Sequence, residues 1–224
     1  MGISVLNQNE RLKPSQGKES KDSPANTEAE DRFEYLVKKS TEGDRESLSV
    51  LCSEIARGVL FQMTYILGDR TNAEDVAQEV LIRVCENIRG LRNPKAFKGW
   101  LARIMVNEKN RYLAKHLKHG TMMNIDDYQE SISDEHDGQA QHILAVENEE
   151  VSKVIMNVIS DLPMRQREAV MLYYYSGLSV TEVAAAMKTT TQSVSKNLKI
   201  AREKLKIKLK DQKLMAGYIE DISS

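Results

Sequence analysis

The chain has 224 residues with 32 Lys and Arg against 33 Asp and Glu, a formal net charge of −1. It is 41% hydrophobic but only 5% aromatic, with 11 Gly and 4 Pro, which suits helices better than a sandwich or barrel. No apolar run approaches the roughly 18 residues that span a bilayer, and MGISVLNQNERLKPSQ lacks the apolar segment of a secretory signal. Leu6 stands where a myristoylation motif has Ser or Thr. Two cysteines, Cys52 and Cys85, cannot make a disulfide framework and point to a reducing compartment. The expectation is an all-α protein of the cytoplasm, with no membrane insertion of its own.

The near-zero net charge conceals strong segregation. From Arg89 to Lys118 there are nine basic residues and one acid, Glu108. From Ile125 to Glu150 there are nine acids and no Lys or Arg. From Val194 to Lys213 there are eight basic residues and two acids. Two basic blocks around an acidic one suit two polyanion-binding surfaces on a connector; solvated helix faces give the same pattern, and charge alone does not separate the two.

Residues 1–30 are polar and without apolar periodicity, and read as a disordered tail. Helical spacing runs from Phe33 to Lys118, defining a first domain over residues 31–119. Thr71-Asn72-Ala73-Glu74 has the form of a capping box opening a helix to about Ile88. Val76, Ala77, Val80, Leu81, Val84 and Ile88 make its core stripe, while Asp75, Gln78, Glu79, Ile82 and Glu86 fall on another face. That face suits docking on another protein or simple solvation with one tolerated apolar residue. Gly90 and Pro94 punctuate a turn. The next helix carries Phe97, Trp100, Leu101, Ile104, Met105 and Leu113 on its apolar side, with Trp100 expected to pack in the core, and basic residues elsewhere. A basic helix beside such a turn suits single-stranded or melted nucleic acid.

Residues 120–142 lose the pattern and form an acidic linker, taken as flexible. A second domain spans 143–214, followed by a tail at 215–224. Asp161-Leu162-Pro163 opens a helix that stops at Ser176-Gly177. Ser179-Val180-Thr181-Glu182 is a capping box for a short helix to Met187. After the turn Lys188-Thr189-Thr190, a third helix from Thr191 buries Val194, Leu198, Ala201 and Leu205 and exposes Gln192, Ser195, Lys196, Asn197 and Lys199. Ala184, Ala185 and Ala186 permit a close crossing of the two helices, as in a helix-turn-helix. Gln, Ser, Lys and Asn can reach base edges, and the later basic residues meet phosphate.

At these residues the chain resembles an extracytoplasmic-function (ECF) sigma factor of the sigma-70 family. GDRTNAEDVAQEVLIRVCENI and PKAFKGWLARIMVNEKNRYL are similar to sigma region 2, a small helical bundle. ISDLPMRQREAVMLYYYSGLSVTEVAAAMKTTTQSVSKNLKIAREKL is similar to the helix-turn-helix of sigma region 4. Lys188 and Thr190 depart from the family, which often has Gly and Pro in this turn. The resemblance implies a sigma factor that directs core RNA polymerase to specific promoters, reading the −35 element as duplex and opening the −10 element. It implies that Asp75, Gln78, Glu79 and Ile82 bind the polymerase clamp coiled coil, with region 4 near the flap. It implies −10 DNA contacts by Arg92, Asn93, Lys95, Lys98, Arg103, Asn107, Lys109, Asn110 and Arg111. For the −35 element it implies Thr191, Gln192, Ser195, Lys196, Asn197, Lys199 and Arg202. An anti-sigma factor is the further partner it implies; no cofactor or metal is called for.

Other functions fit less well. His116-x-x-His119 lacks the further ligands of a metal site, and neither a phosphate-cradling Gly loop nor a nucleophile motif occurs, so the chain is not expected to be an enzyme. Cys52 and Cys85 fall at apolar helical positions and are expected in the core. A stand-alone helix-turn-helix regulator would not need the first basic block beside an acidic docking helix, and a protein-only adaptor would need neither basic block.

Overall fold

In the computed structural model, which describes residues 24–118 and 149–211, the chain forms eight α-helices and no strand among those residues. Three helices lead in: α1 (Pro24–Glu42), α2 (Arg45–Leu67) and α3 (Arg70–Asn87). Helix α1 begins inside the stretch expected to be a tail. Two short 3-10 turns at Ile88–Gly90 and Pro94–Ala96 then lead to α4 (Phe97–Lys118). The second half contains α5 (Glu149–Ser160), α6 (Met164–Val170), a π-helical turn at Met171–Tyr175, α7 (Val180–Ala186) and α8 (Thr191–Asp211). The acidic linker expected at 120–142 lies outside the described residues.

Local chemistry sets the boundaries. Gly43, with φ of +95°, lets the chain turn before Asp44, whose carboxylate accepts from the Glu46 amide (3.2 Å) and the Ser47 hydroxyl (2.6 Å) to start α2. Helix α3 does not start on the Thr71 capping box. Asp69 is its N-cap, accepting from the Asn72 amide at 2.6 Å, because Gly68 ends α2 in the left-handed region and leaves Asp69 extended. At Ser179 the expected capping box does form: Ser179 Oγ accepts from the Glu182 amide at 3.3 Å, and the Glu182 carboxylate accepts from the Ser179 amide at 2.8 Å.

The core stripes match the sequence periodicity. Val76, Ala77, Val80, Val84 and Ile88 of the α3 region are buried against α2, which contributes Leu51, Ile55, Val59, Met63 and Ile66. By length and average composition helix α2 is long and apolar enough to cross a membrane, although Glu54 and Arg57 interrupt any continuous apolar run. Its apolar side chains are instead buried among α1, α3 and α6, as in the central helix of a bundle. In the second half Val183, Ala184 and Ala186 of α7 meet Val194, Leu198, Ala201 and Leu205 of α8. Each such large aliphatic contributes roughly 1.5–3 kcal/mol on burial.

The two halves also pack on each other. Helices α2 and α4 contact α6, the π turn and α7, and the buried side chains form one continuous cluster. Phe61 of α2 stacks on Tyr175 with ring centroids 5.2 Å apart, and the Ser176 hydroxyl donates to Gln62 Oε1 at 2.8 Å. Gly58 eases this crossing: a Cβ there would lie 3.0 Å from the Tyr175 hydroxyl oxygen, which would have to give way by a few tenths of an ångström.

Candidate functional site

Three surfaces hold the residues singled out by the sequence. The first is the outer face of α3. Asp75, Gln78 and Glu79 are exposed, and Ile82 is 42% exposed, an unusual position for a large aliphatic. The opposite stripe is fully buried, so the acidic face is held on a rigid helix and its geometry does not depend on a loop. Two carboxylates, an amide and an apolar side chain at helical spacing make a small exposed acidic patch with one apolar member.

The second surface runs from the 3-10 turns along α4. Arg92, Asn93, Lys95 and Lys98 are exposed around the turn. The Asn93 side-chain oxygen accepts from the Lys95 amide at 3.1 Å and so shapes the turn itself, leaving the Asn93 amide nitrogen for outside contacts. Further along, Arg103, Asn107, Asn110 and Arg111 are exposed at steps of four, three and one, which makes a single ridge on the helix. Arg111 pairs with the buried Glu108 at 3.2 Å, and Arg83 of α3 approaches the same carboxylate at 3.4 Å. Phe97 is buried, meeting Phe33 edge-on at 5.5 Å; Trp100 is half-buried beside it, a position between the core and the surface.

Lys109 does not belong to this ridge. It is only 4% exposed, and its Nζ lies 2.5 Å from Oε1 of Glu168 on α6, which is 3% exposed. The reason is visible in the spacing: Ala102, Met105, Val106 and Leu113 are all buried, and residue 109 falls on their stripe. A charge on an apolar stripe needs a buried partner, and Glu168 supplies it from the other half of the molecule. Arg167, the neighbour of Glu168, reinforces the contact. Its Nη2 donates to the Ile66 carbonyl at 3.1 Å and its Nη1 to the Ser160 carbonyl at 2.8 Å. Both residues lie in LPMRQRE, where the sequence offered no sign that they bridge the two halves.

The third surface is the start of α8. Thr191, Gln192, Ser195, Lys196, Lys199 and Arg202 are exposed and share one side of the helix, whereas Asn197 is half-buried and falls on the other flank of the buried stripe. The Thr190 hydroxyl caps the helix by accepting from the Ser193 amide at 3.1 Å. In the turn before it, Lys188 has φ of +52°, the left-handed conformation that Gly adopts without strain. The positions of Lys188 and Thr190, where the sequence departs from the family's usual turn, are therefore the strained residue and the helix cap. Among the described residues no cluster of three or more His, Cys, Asp or Glu could hold a metal ion; His119 lies outside them.

The cysteines differ from expectation. They are not core residues: Cys85 is exposed and Cys52 half-buried, and their Sγ atoms are 3.5 Å apart. Cys52 lies on the margin of the α2 core stripe, and Cys85 lies beside the exposed Ile82 side of α3.

Comparison with known proteins gives this geometry a family. The family model for sigma-70 region 2 matches residues 53–118, and that for sigma-70 region 4 matches residues 152–205. Together the two cover just over half of the chain. The chain is similar to the ECF RNA polymerase sigma-E factors of Haemophilus influenzae, 28% identical over 181 residues with 78% of this chain and 93% of the relative covered, and of Escherichia coli K12, 28% over 176 residues with 76% and 90% covered. It is also similar to the RNA polymerase sigma-H factor of Pseudomonas aeruginosa, 24% identical over 182 residues with 78% and 92% covered. Two solved structures share the fold. CnrH in complex with the cytosolic domain of CnrY matches with a TM-score of 0.50 and 18% identity, covering 80% of this chain and 98% of that one. The sigma factor RpoE in complex with the anti-sigma factor NepR from Bartonella quintana matches with a TM-score of 0.50 and 20% identity, covering 70% and 92%. With the region 2 match falling within α2–α4 and the region 4 match within α5–α8, the chain belongs to the sigma-70 family and is an ECF-type RNA polymerase sigma factor, a transcription initiation protein and not an enzyme.

Proposed function

We propose that this sigma factor works in the cytoplasm by docking the acidic face of α3 on the clamp coiled coil of core RNA polymerase, with region 4 near the flap, and by using its two basic surfaces on separate promoter elements. Asp75, Gln78 and Glu79 meet basic residues of the clamp, and Ile82 packs as the apolar anchor of that contact. The turn at Arg92, Asn93 and Lys95, with Lys98 and the ridge Arg103, Asn107, Asn110 and Arg111, holds melted −10 DNA. Extruding a base costs a few kcal/mol of unstacking, which these cations and the turn offset. Thr191, Gln192, Ser195, Lys196, Asn197 and Lys199 read the −35 duplex in its major groove, with Arg202 on phosphate. The observation that carries the reading is the exposure of most of these residues on helices backed by buried stripes, with Arg92, Asn93 and Lys95 exposed on the turn before α4.

In this account the packed arrangement of regions 2 and 4 is a closed form. It removes Lys109 from the DNA surface, and addressing two separated promoter elements requires the halves to part. Lys109 joins the −10 contacts only then. Two solved structures that share the fold are complexes, one with the cytosolic domain of CnrY and one with the anti-sigma factor NepR, which supports an anti-sigma factor as a partner that holds or stabilises such a form. Permanganate footprinting of promoter DNA with holoenzyme tests the division of labour. Unpaired thymines at the −10 element should disappear with R103A/N107A, while an R202A change should weaken DNA binding without abolishing strand opening at saturating protein. Strand opening that survives the α4 substitutions would overturn the assignment.

A further inference from the structure

The two cysteines stand almost equally far along the chain from the Gly68 turn, so the register of the α2–α3 hairpin itself brings them together. Their sulfurs are already in contact at 3.5 Å, and Cys85 is open to solvent while Cys52 is half-buried beneath it. A disulfide needs sulfurs about 2.0 Å apart, so the two must close by about 1.5 Å to bond. Neither thiol is among the residues assigned above to polymerase docking or DNA reading.

We propose that Cys52 and Cys85 form a reversible intramolecular disulfide when the free protein meets hydrogen peroxide, and that this bond staples the docking helix α3 to the centre of region 2 without displacing Asp75, Gln78, Glu79 or Ile82. Cys85, the exposed thiol, reacts first. Its thiolate sulfur attacks one peroxide oxygen, the O–O bond breaks, and the departing hydroxide takes up the proton that Cys85 released to leave as water. Cys85 is then a sulfenic acid. The Cys52 sulfur attacks the Cys85 sulfur, the S–O bond breaks, and the leaving hydroxide takes the Cys52 proton as a second water. Two thiols lose two electrons in total, and one peroxide becomes two waters. Burial and contact with Cys85 push the Cys52 thiol up to about 12, so Cys52 is not the thiol that meets peroxide first. The bond would fix two helices whose cysteines are 33 residues apart in the chain, removing conformations from the unfolded region 2. The retained docking function rests on the reading of α3 proposed above.

The test treats the reduced full chain with one equivalent of hydrogen peroxide, alkylates it under denaturing conditions, and maps the peptides by mass. The expected result is simultaneous loss of both alkylation sites in a monomer, a Cys52–Cys85 linked peptide, and recovery of both thiols with dithiothreitol. The oxidised monomer should melt at least about 5 °C higher and bind core polymerase as the reduced protein does. In C52A, Cys85 should stop as a sulfenic acid that dimedone traps. Independent oxidation of the two thiols, intermolecular dimers, or a disulfide whose formation abolishes polymerase binding would overturn the proposal. Failure of the docking reading looks different: the reduced protein would then bind polymerase equally well with E79K, whatever the state of the thiols.

Discussion

Replacing Glu168 by Ala strikes the contact that joins regions 2 and 4. In the closed form Lys109 and Glu168 are both more than nine-tenths buried and bonded to each other. In an open form both would be in water. E168A therefore leaves an uncompensated ammonium buried only when the molecule is closed. Removing one partner of a buried pair costs about 3–5 kcal/mol, and the lower figure alone is more than a hundredfold in an equilibrium constant. A closed form favoured a hundredfold over the open one would become the minority species. Small-angle scattering of the full chain reads this as a rise in radius of gyration, and run-off transcription reads it as relief from a slow opening step. The paired substitution K109M/E168L supplies the control. It removes both charges and fills the space, so it should keep the protein closed or close it further. The reasoning is refuted if E168A scatters like the parent, or if K109M/E168L opens as readily as E168A.

Four other outcomes follow from the same geometry. E79K, or D75K, should weaken core polymerase binding by about 10- to 100-fold, a loss of order 1–3 kcal/mol for a reversed interfacial charge, with an unchanged circular dichroism spectrum because both side chains are solvent-exposed. K188G should stabilise region 4 by about 0.5–1 kcal/mol by relieving the left-handed backbone at φ +52°, raising the melting temperature by a few degrees. The Glu182 carboxyl is held below its ordinary value of 4.5 by the Ser179 hydroxyl and amide, so its contribution is complete above that value and lost as pH falls through the folded value; E182Q should flatten that part of the acid melting profile. K196A should change which −35 sequences are preferred in a selection from random duplexes, whereas a uniform loss across all sequences would make Lys196 a phosphate contact.

The parts of the molecule legible from its sequence were those fixed by local periodicity and capping. The α3 stripe and the exposed acidic face opposite it follow from steps of three and four, and the Ser179 box and the Thr191 start of α8 follow from cap chemistry within a few residues. The Thr71 box was misread because two overlapping signals compete there. Asp69 also caps, and the left-handed Gly68 places it first. Contacts between distant segments were not legible. Lys109 looked like one more cation in a basic helix, although its position on the stripe of Met105, Val106 and Leu113 carried a warning; only Glu168, 59 residues further on, explains why a charge is tolerated there. The thiol pair was missed for the same reason: each cysteine by itself resembles a small core residue, and their approach depends on the hairpin register.

The central claim is that this chain confers promoter choice on a polymerase that has none. Adding the purified protein to sigma-free core polymerase with a library of genomic fragments, and mapping the 5′ ends of the transcripts, tests it most directly. The account predicts discrete start sites downstream of a shared pair of sequence elements, lost with E79K. Transcripts with scattered ends, identical with and without the protein, would contradict it.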